Sequence, residues 1–192
     1  MSMKFTQIPA DTFQKLQLNA GILIDTFDPA TQQIGNLLGA TGGGVTFVAK
    51  PEFKDYGEDI DNCPQNMKEL KKLTKWLATM VGTFKSVDVN QVKNLVAVAD
   101  IDSNDATKVI PRSVLLETDF ADLWWVGDYS EVNTGNDAGF IAIHMMSALN
   151  TAGFSLKSNN ESKGEFAFNY EAHYSMDDQT TVPFEIYVKA GA

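Results

Sequence analysis

Alternation of apolar and polar residues is the dominant pattern along this chain. In GEFAFNYEAHYS (164–175), Phe166, Phe168, Tyr170, Ala172 and Tyr174 fall on one face. Glu165, Ala167, Asn169, Glu171 and His173 fall on the other. A period of two predicts a strand with one buried and one exposed face. PFEIYVK alternates in the same way, with Phe184, Ile186 and Val188 against Glu185, Tyr187 and Lys189. The short polar link MDDQTT predicts that these two strands form a hairpin. GFIAIHMM (139–146) is apolar on both faces and reads as a strand covered on both sides, or covered by a partner. SALNTAG after it reads as a turn, and GFSLKS (153–158) as a further strand.

In the N-terminal half, GILIDTF (21–27) is a strand ended by Asp28-Pro29. VTFVAKPEF (45–53) is another, with Pro51 placing that end at a sheet edge or outside the sheet. WLATMVGTFKSV (76–87) is a long strand in which Gly82 marks a bend or bulge. Helical spacing is confined to 89–99, where Val92, Leu95, Val96 and Ala99 recur every three or four residues behind the N-cap Asp88. A single turn is expected at 10–16. About seven strands and one helix predict a mainly β fold, a sandwich or barrel with one flanking α-helix, formed by one domain over 1–192.

Residues 54–75 break the alternation. Acidic Asp55, Glu58, Asp59 and Asp61 precede basic Lys68, Lys71, Lys72 and Lys75, with few apolar residues between. A loop this long and polarised reads as a docking arm, the alternative being a solvated loop. Composition narrows the partners. Fifteen Lys and Arg against 25 Asp and Glu give a net charge of −10 over 192 residues. That balance argues against a nucleic-acid-capturing surface and against anionic membranes. The only cysteine is Cys63, so no intrachain disulfide is expected. MSMKFTQIPADTF holds no apolar run of signal-peptide length, and the expectation is a soluble chain without a leader.

Catalytic motifs are absent. GATGGGVT (39–46) has the glycine spacing of a phosphate loop, but Val45 stands where lysine is needed, so a turn entering a strand is the better reading. Asp100, Asp102 and Asn104 begin like a calcium loop, but Asp105 and Pro111 occupy the positions that need Gly and Glu. His144 and His173 with Cys63 lack zinc spacing. No enzyme activity, metal or cofactor is expected. Trp124 and Trp125 in DLWWVGDYS point to opposite faces of a strand. One belongs in the core and the other at a subunit interface, or on a ligand-stacking platform.

A resemblance carries the reading further. GATGGGVTFVAKPEFKDYGEDIDNCPQNMKELKKLTKW, DLWWVGDYS, AGFIAIHMMSALNTAGFSL and GEFAFNYEAHYSMDDQTTVPFEIYVKAG resemble the phage major tail protein (tail-tube) family of long-tailed phages and prophages of Gram-positive bacteria. The resemblance covers residue 14 to the C-terminus. It implies a tail-tube-type β-sandwich whose copies form hexameric rings stacked into a hollow tube for genome delivery. The long loop would reach the next ring. Implied partners are further copies of the chain, the tape-measure protein, and tail-tip or baseplate and tail-terminator proteins. DNA would pass without specific binding, and no membrane is involved. The implied location is the virion tail, and the host cytoplasm during assembly. Glu165, Glu171 and Glu185 are the lumen-facing candidates, an acidic wall that would repel DNA. Two alternatives stay open: the inner tube of a contractile tail or related injection machine, and a monomeric β-sandwich ligand-binding module.

Overall fold

Most alternating segments become strands, and a computed structural model describing residues 8–130, 135 and 137–191 joins them in one eight-stranded antiparallel system with two small hairpins beside it. In chain order the strands are β1 (Ile22–Ile24), β2 (Phe27–Asp28), β3 (Gln33–Ile34), β4 (Thr46–Asp55) and β5 (Lys71–Phe84). After helix α1 (Val89–Val96) come β6 (Ala99–Asp102), β7 (Asp105–Pro111) and β8 (Ala121–Asp128). The last are β9 (Phe140–Asn150), β10 (Leu156–Lys157), β11 (Glu165–Glu171) and β12 (Phe184–Lys189). Among the described residues the fold is mainly β with one α-helix. The leader expectation falls largely on residues 1–7, outside the described residues.

Two layers share β9. Its first part pairs with β8 and β12, and its last two residues, Leu149 and Asn150, pair with Glu171 and Tyr170 of β11. One layer is therefore β1-β8-β9-β12, and the other is β10-β11-β5-β4. Their facing sides form the main core, with Leu23, Leu123, Ile143 and Met145 from the first layer. Met80, Phe84, Phe168 and Tyr170 come from the second, and Leu95 of α1 closes the end. The other side of the first layer carries a smaller core of Ile24, Phe27, Trp124, Phe140 and Ala142, covered by the β2–β3 hairpin. The double coverage expected for 139–146 is present, because alternate residues of β9 enter different cores.

Of the aromatic face read over 166–174, Phe168 and Tyr170 are buried and Phe166 is half-buried as the alternation predicts, but β11 ends at Glu171 and Tyr174 is 40% exposed. Pro51 lies on β4, an edge strand. The helix starts where expected: Asp88 accepts a hydrogen bond from the Gln91 amide at 2.7 Å. Asp102 accepts from the Asn104 amide at 3.0 Å, so that acidic run makes the β6–β7 turn. The glycine-rich run leads into β4, with Gly43 and Gly44 at φ 80° and 84°.

Several expectations are corrected. β11 and β12 are not a hairpin; β12 pairs with β9 from Phe184↔Met145 to Lys189↔Phe140. SALN is not a turn but the end of β9. Only Leu156–Lys157 of 153–158 is strand. Gly82 makes no bulge: the β5–β11 register is continuous across Phe168↔Gly82. A Cβ at Gly82 would stand 2.6 Å from the Phe168 ring, so the missing side chain makes room for that ring. The irregularity in β5 lies opposite Glu52 and Phe53, where Thr74 is extra and its hydroxyl donates to the Glu52 carbonyl at 2.9 Å.

One buried polar pair ties α1 to the sheet. Gln91 donates from Nε2 to the Tyr170 hydroxyl at 3.1 Å, with both residues buried. Burial pushes the Tyr170 phenol up to about 12. An unfolded tyrosine ionises near pH 10. The unfolded chain therefore releases this proton first, and stability present below about pH 10 is lost as pH rises towards about 12. The loss should reach roughly 3 kcal/mol. Tyr170→Phe should flatten that alkaline slope in denaturant titrations. At neutral pH the same variant should lose about 1–2 kcal/mol, because the Gln91 amide keeps no acceptor.

Candidate assembly surfaces

β12 forms one free margin of the first layer. Met146 donates to the Pro183 carbonyl at 2.9 Å, which sets the hydrogen-bonded rungs to β9 at the odd-numbered residues of this strand. The backbone groups of Ile186 and Val188 therefore point away from β9, to the open side. Their side chains lie in the rows of Ile143 and Ile141, on the core-facing side of the layer. Phe184 in that series is covered, its ring 5.8 Å from Phe47 and 5.5 Å from Trp76. Ile186 and Val188 are not: they remain 53% and 60% exposed. Alternation alone marks all three as core. It is the opposing layer's extent that leaves two of them bare.

The second surface is the arm. Residues 54–75 are not a free loop, because β4 and β5 stay paired out to Asp55↔Lys71. The turn at 56–70 is closed by its own hydrogen bonds. Asp55 accepts from the amides of Gly57 at 2.8 Å and Asn66 at 2.7 Å, which hold its carboxyl below the usual range. Tyr56 donates to the Leu70 carbonyl at 3.0 Å, and Lys71 Nζ to Asn66 Oδ1 at 3.0 Å. Of the arm candidates, Asp55, Lys71, Lys72 and Lys75 stand on strands, while Glu58, Asp59, Asp61 and Lys68 are exposed on the turn. Phe53, Tyr56, Ile60 and Leu73 are exposed apolar residues of the same arm. The charge pattern revealed the arm, but not its apolar side.

Neither tryptophan is an open platform. Trp124 lies in the smaller core, 5.7 Å from Phe27 and stacked at 4.0 Å on His144. Trp125 packs on the main core and covers Gly21, and its indole N–H donates to the Ala20 carbonyl at 3.0 Å. His144 is satisfied, with Nε2 3.1 Å from Asp122 Oδ2. His173 Nδ1 lies 3.1 Å from the Ser147 carbonyl.

The three glutamates do not share a surface. Glu165 and Glu171 are on the outer side of the β11 layer, opposite the Phe168 row. Glu185 is on the outer side of the other layer, in one row with His144, Trp124 and Ile24. The hairpin expected across MDDQTT would have set the three on adjacent strands, but β12 pairs with β9 and not with β11. Glu165 is also neutralised: Lys85 lies at 2.6 Å and Lys157 at 3.8 Å, and the Lys85 hydrogen bond lowers its carboxyl pKa. Glu171 accepts from the Thr151 hydroxyl at 2.9 Å, and Glu185 from the Tyr187 hydroxyl at 2.5 Å. No single acidic wall is built from the three.

Among the described residues, no group of three or more His, Cys, Asp or Glu side chains is placed to hold a metal ion. No helix among them is long and apolar enough to cross a membrane. No family model matches the chain, and no curated protein is significantly similar to it.

Proposed function

We propose that this chain is the repeating subunit of the tail tube of a long-tailed phage with a non-contractile tail. Copies join edge to edge into hexameric rings, and the rings stack into a tube that conducts DNA. The tape-measure, tail-tip or baseplate and tail-terminator proteins are its partners, and the mature location is the virion. The resemblance set out above supplies the family.

The observation that carries the reading is the β12 margin. It presents outward backbone donors and acceptors beside the exposed Ile186 and Val188 side chains, which a strand from a neighbour would cover. The projecting β4–β5 arm supports stacking. Both tryptophans are occupied within the chain, so the ligand-module alternative loses its platform.

Negative-stain microscopy and light scattering of the purified protein at rising concentration test this. Rings or tubes are expected, and a chain that stays monomeric throughout overturns the reading. Val188→Pro removes one outward N–H while sparing the rungs to β9. It should give a folded monomer that no longer forms rings. Unchanged rings would move the joint to another edge.

A further inference from the structure

Helix α1 and the 36–38 segment leave a groove of about 560 Å³ between them. Asn90, Gln91 and Asn94 line it from the helix, where spacings of three and four residues set Asn94 on the same side as the other two. Asp25, Asn36 and Leu37 line it from across. A smaller cavity of about 80 Å³ adjoins the groove, shares Asp25, Leu38 and Asn94 with it, and ends against Leu123, Ala148 and Tyr170. Neither tryptophan of β8 lines either space.

Unspent hydrogen-bonding groups converge here. Tyr170 is 6% exposed and lines the inner cavity. Its oxygen accepts from Gln91, but its own O–H donates to no group among the described residues. Gln91 is 2% exposed and lines the outer groove, and its Oε1 accepts from no donor among the described residues. Reversing the amide exchanges which end is left over and leaves one free in either case. The exposed Asn94 side chain, common to both spaces, makes no hydrogen bond among the described residues. Buried polar groups are rarely left in this state.

The lining selects the occupant. Asp25, Asp88, Asp119 and Asp122 line the two spaces and no Lys or Arg does, which disfavours an anion. The start of α1 is already capped by Asp88. An ammonium ion only donates, and would leave the Tyr170 proton unmet. A hydroxyl group both accepts from Tyr170 and donates to an amide or carboxylate oxygen. Leu37, 63% exposed on the groove wall, offers a contact for a C–H face. The inner cavity has the volume of two to three waters at about 30 Å³ each, enough for a hydroxymethyl arm and too little for a ring.

We propose that this cleft binds a neutral hexose unit, its ring in the outer groove against Leu37 and Asn94 and its hydroxymethyl arm in the inner cavity beside Tyr170. The site does not depend on the tube reading.

Calorimetry and saturation-transfer NMR on the full chain, with glucose, galactose and mannose as probes, test this. At least one should bind with a Kd of about 1 mM or below. Xylose, which lacks the hydroxymethyl arm, glucuronate, which carries a carboxylate in its place, and spermidine should each bind at least about tenfold more weakly. Asn94→Ala, a change on the exposed helix face, should weaken hexose binding about tenfold without altering the unfolding midpoint, and Tyr170→Phe should weaken it as well. Amide shifts on hexose addition should centre on 36–38 and 88–94. No transfer to any of the three hexoses, which leaves water as the only occupant, overturns the site. So does binding that is indifferent to Asn94→Ala, equal for xylose, or tighter for spermidine.

Discussion

Phe168→Asp should yield no soluble folded protein, and Phe168→Ala should lose about 3–5 kcal/mol. Phe168 is 1% exposed at the centre of the main core. Its ring lies 4.6 Å from that of Phe84 and 5.4 Å from that of Tyr170, and its edge fills the space left open by Gly82. Gly82 has no side chain to move into the gap, so truncation leaves a cavity that collapses poorly. A carboxylate there has no cation in reach and would be buried unpaired. A domain commonly holds only about 5–15 kcal/mol in total. Phe168→Leu, which keeps most of the volume, should fold and melt at a lower temperature. Denaturant unfolding of the Ala and Leu variants, with solubility and circular dichroism for Asp, checks the ordering. A folded, assembling Asp variant would mean that this face is not the core.

Asn150→Leu should cost about 3 kcal/mol or more, although it exchanges a polar side chain for an apolar one of similar size. Asn150 is 2% exposed at the seam between the layers. Its Nδ2 donates to the Leu95 carbonyl of α1 at 2.6 Å and to the Gly153 carbonyl at 3.1 Å. Its Oδ1 accepts from the Asn169 amide of β11 at 2.9 Å. One side chain thus satisfies backbone groups of the helix, the turn after β9 and the neighbouring strand. Leucine would strand these groups away from water, each at about 1–3 kcal/mol. Hydrogen exchange should show lost protection first at 93–97 and 169–171. A variant as stable as wild type, with those amides still protected, would place the seam's strength elsewhere.

Much of this architecture is legible in local patterns, because the properties concerned are local. The inward face of 166–170, the N-cap at Asp88, the two-sided burial of 139–146 and the edge position of Pro51 all follow from side-chain period and backbone chemistry. The arm is legible as a charge anomaly at 54–75. Its paired strands are less so, since Lys71 to Lys75 and Lys54 to Asp55 do not alternate in polarity. They are strand because they continue the ladder begun by Thr46↔Val81, not because of their own preference.

Period two says which residues of a strand look the same way, and nothing about what they look at. That is why Phe184, Ile186 and Val188 read alike, while the fold half-covers the first with Phe47 and Trp76 and bares the other two. It is also why Glu165, Glu171 and Glu185 read as one wall and stand on opposite sides of the sandwich. Pairing over long sequence separations decides these matters: β12 finds β9 and not its sequence neighbour β11, and β9 divides its partners between two layers. Strand identity, facing and capping are set by interactions within a few residues, which the chain order contains directly. Partner choice and edge exposure depend on how whole layers cover one another, and that is settled only when all the strands compete for the same apolar surface.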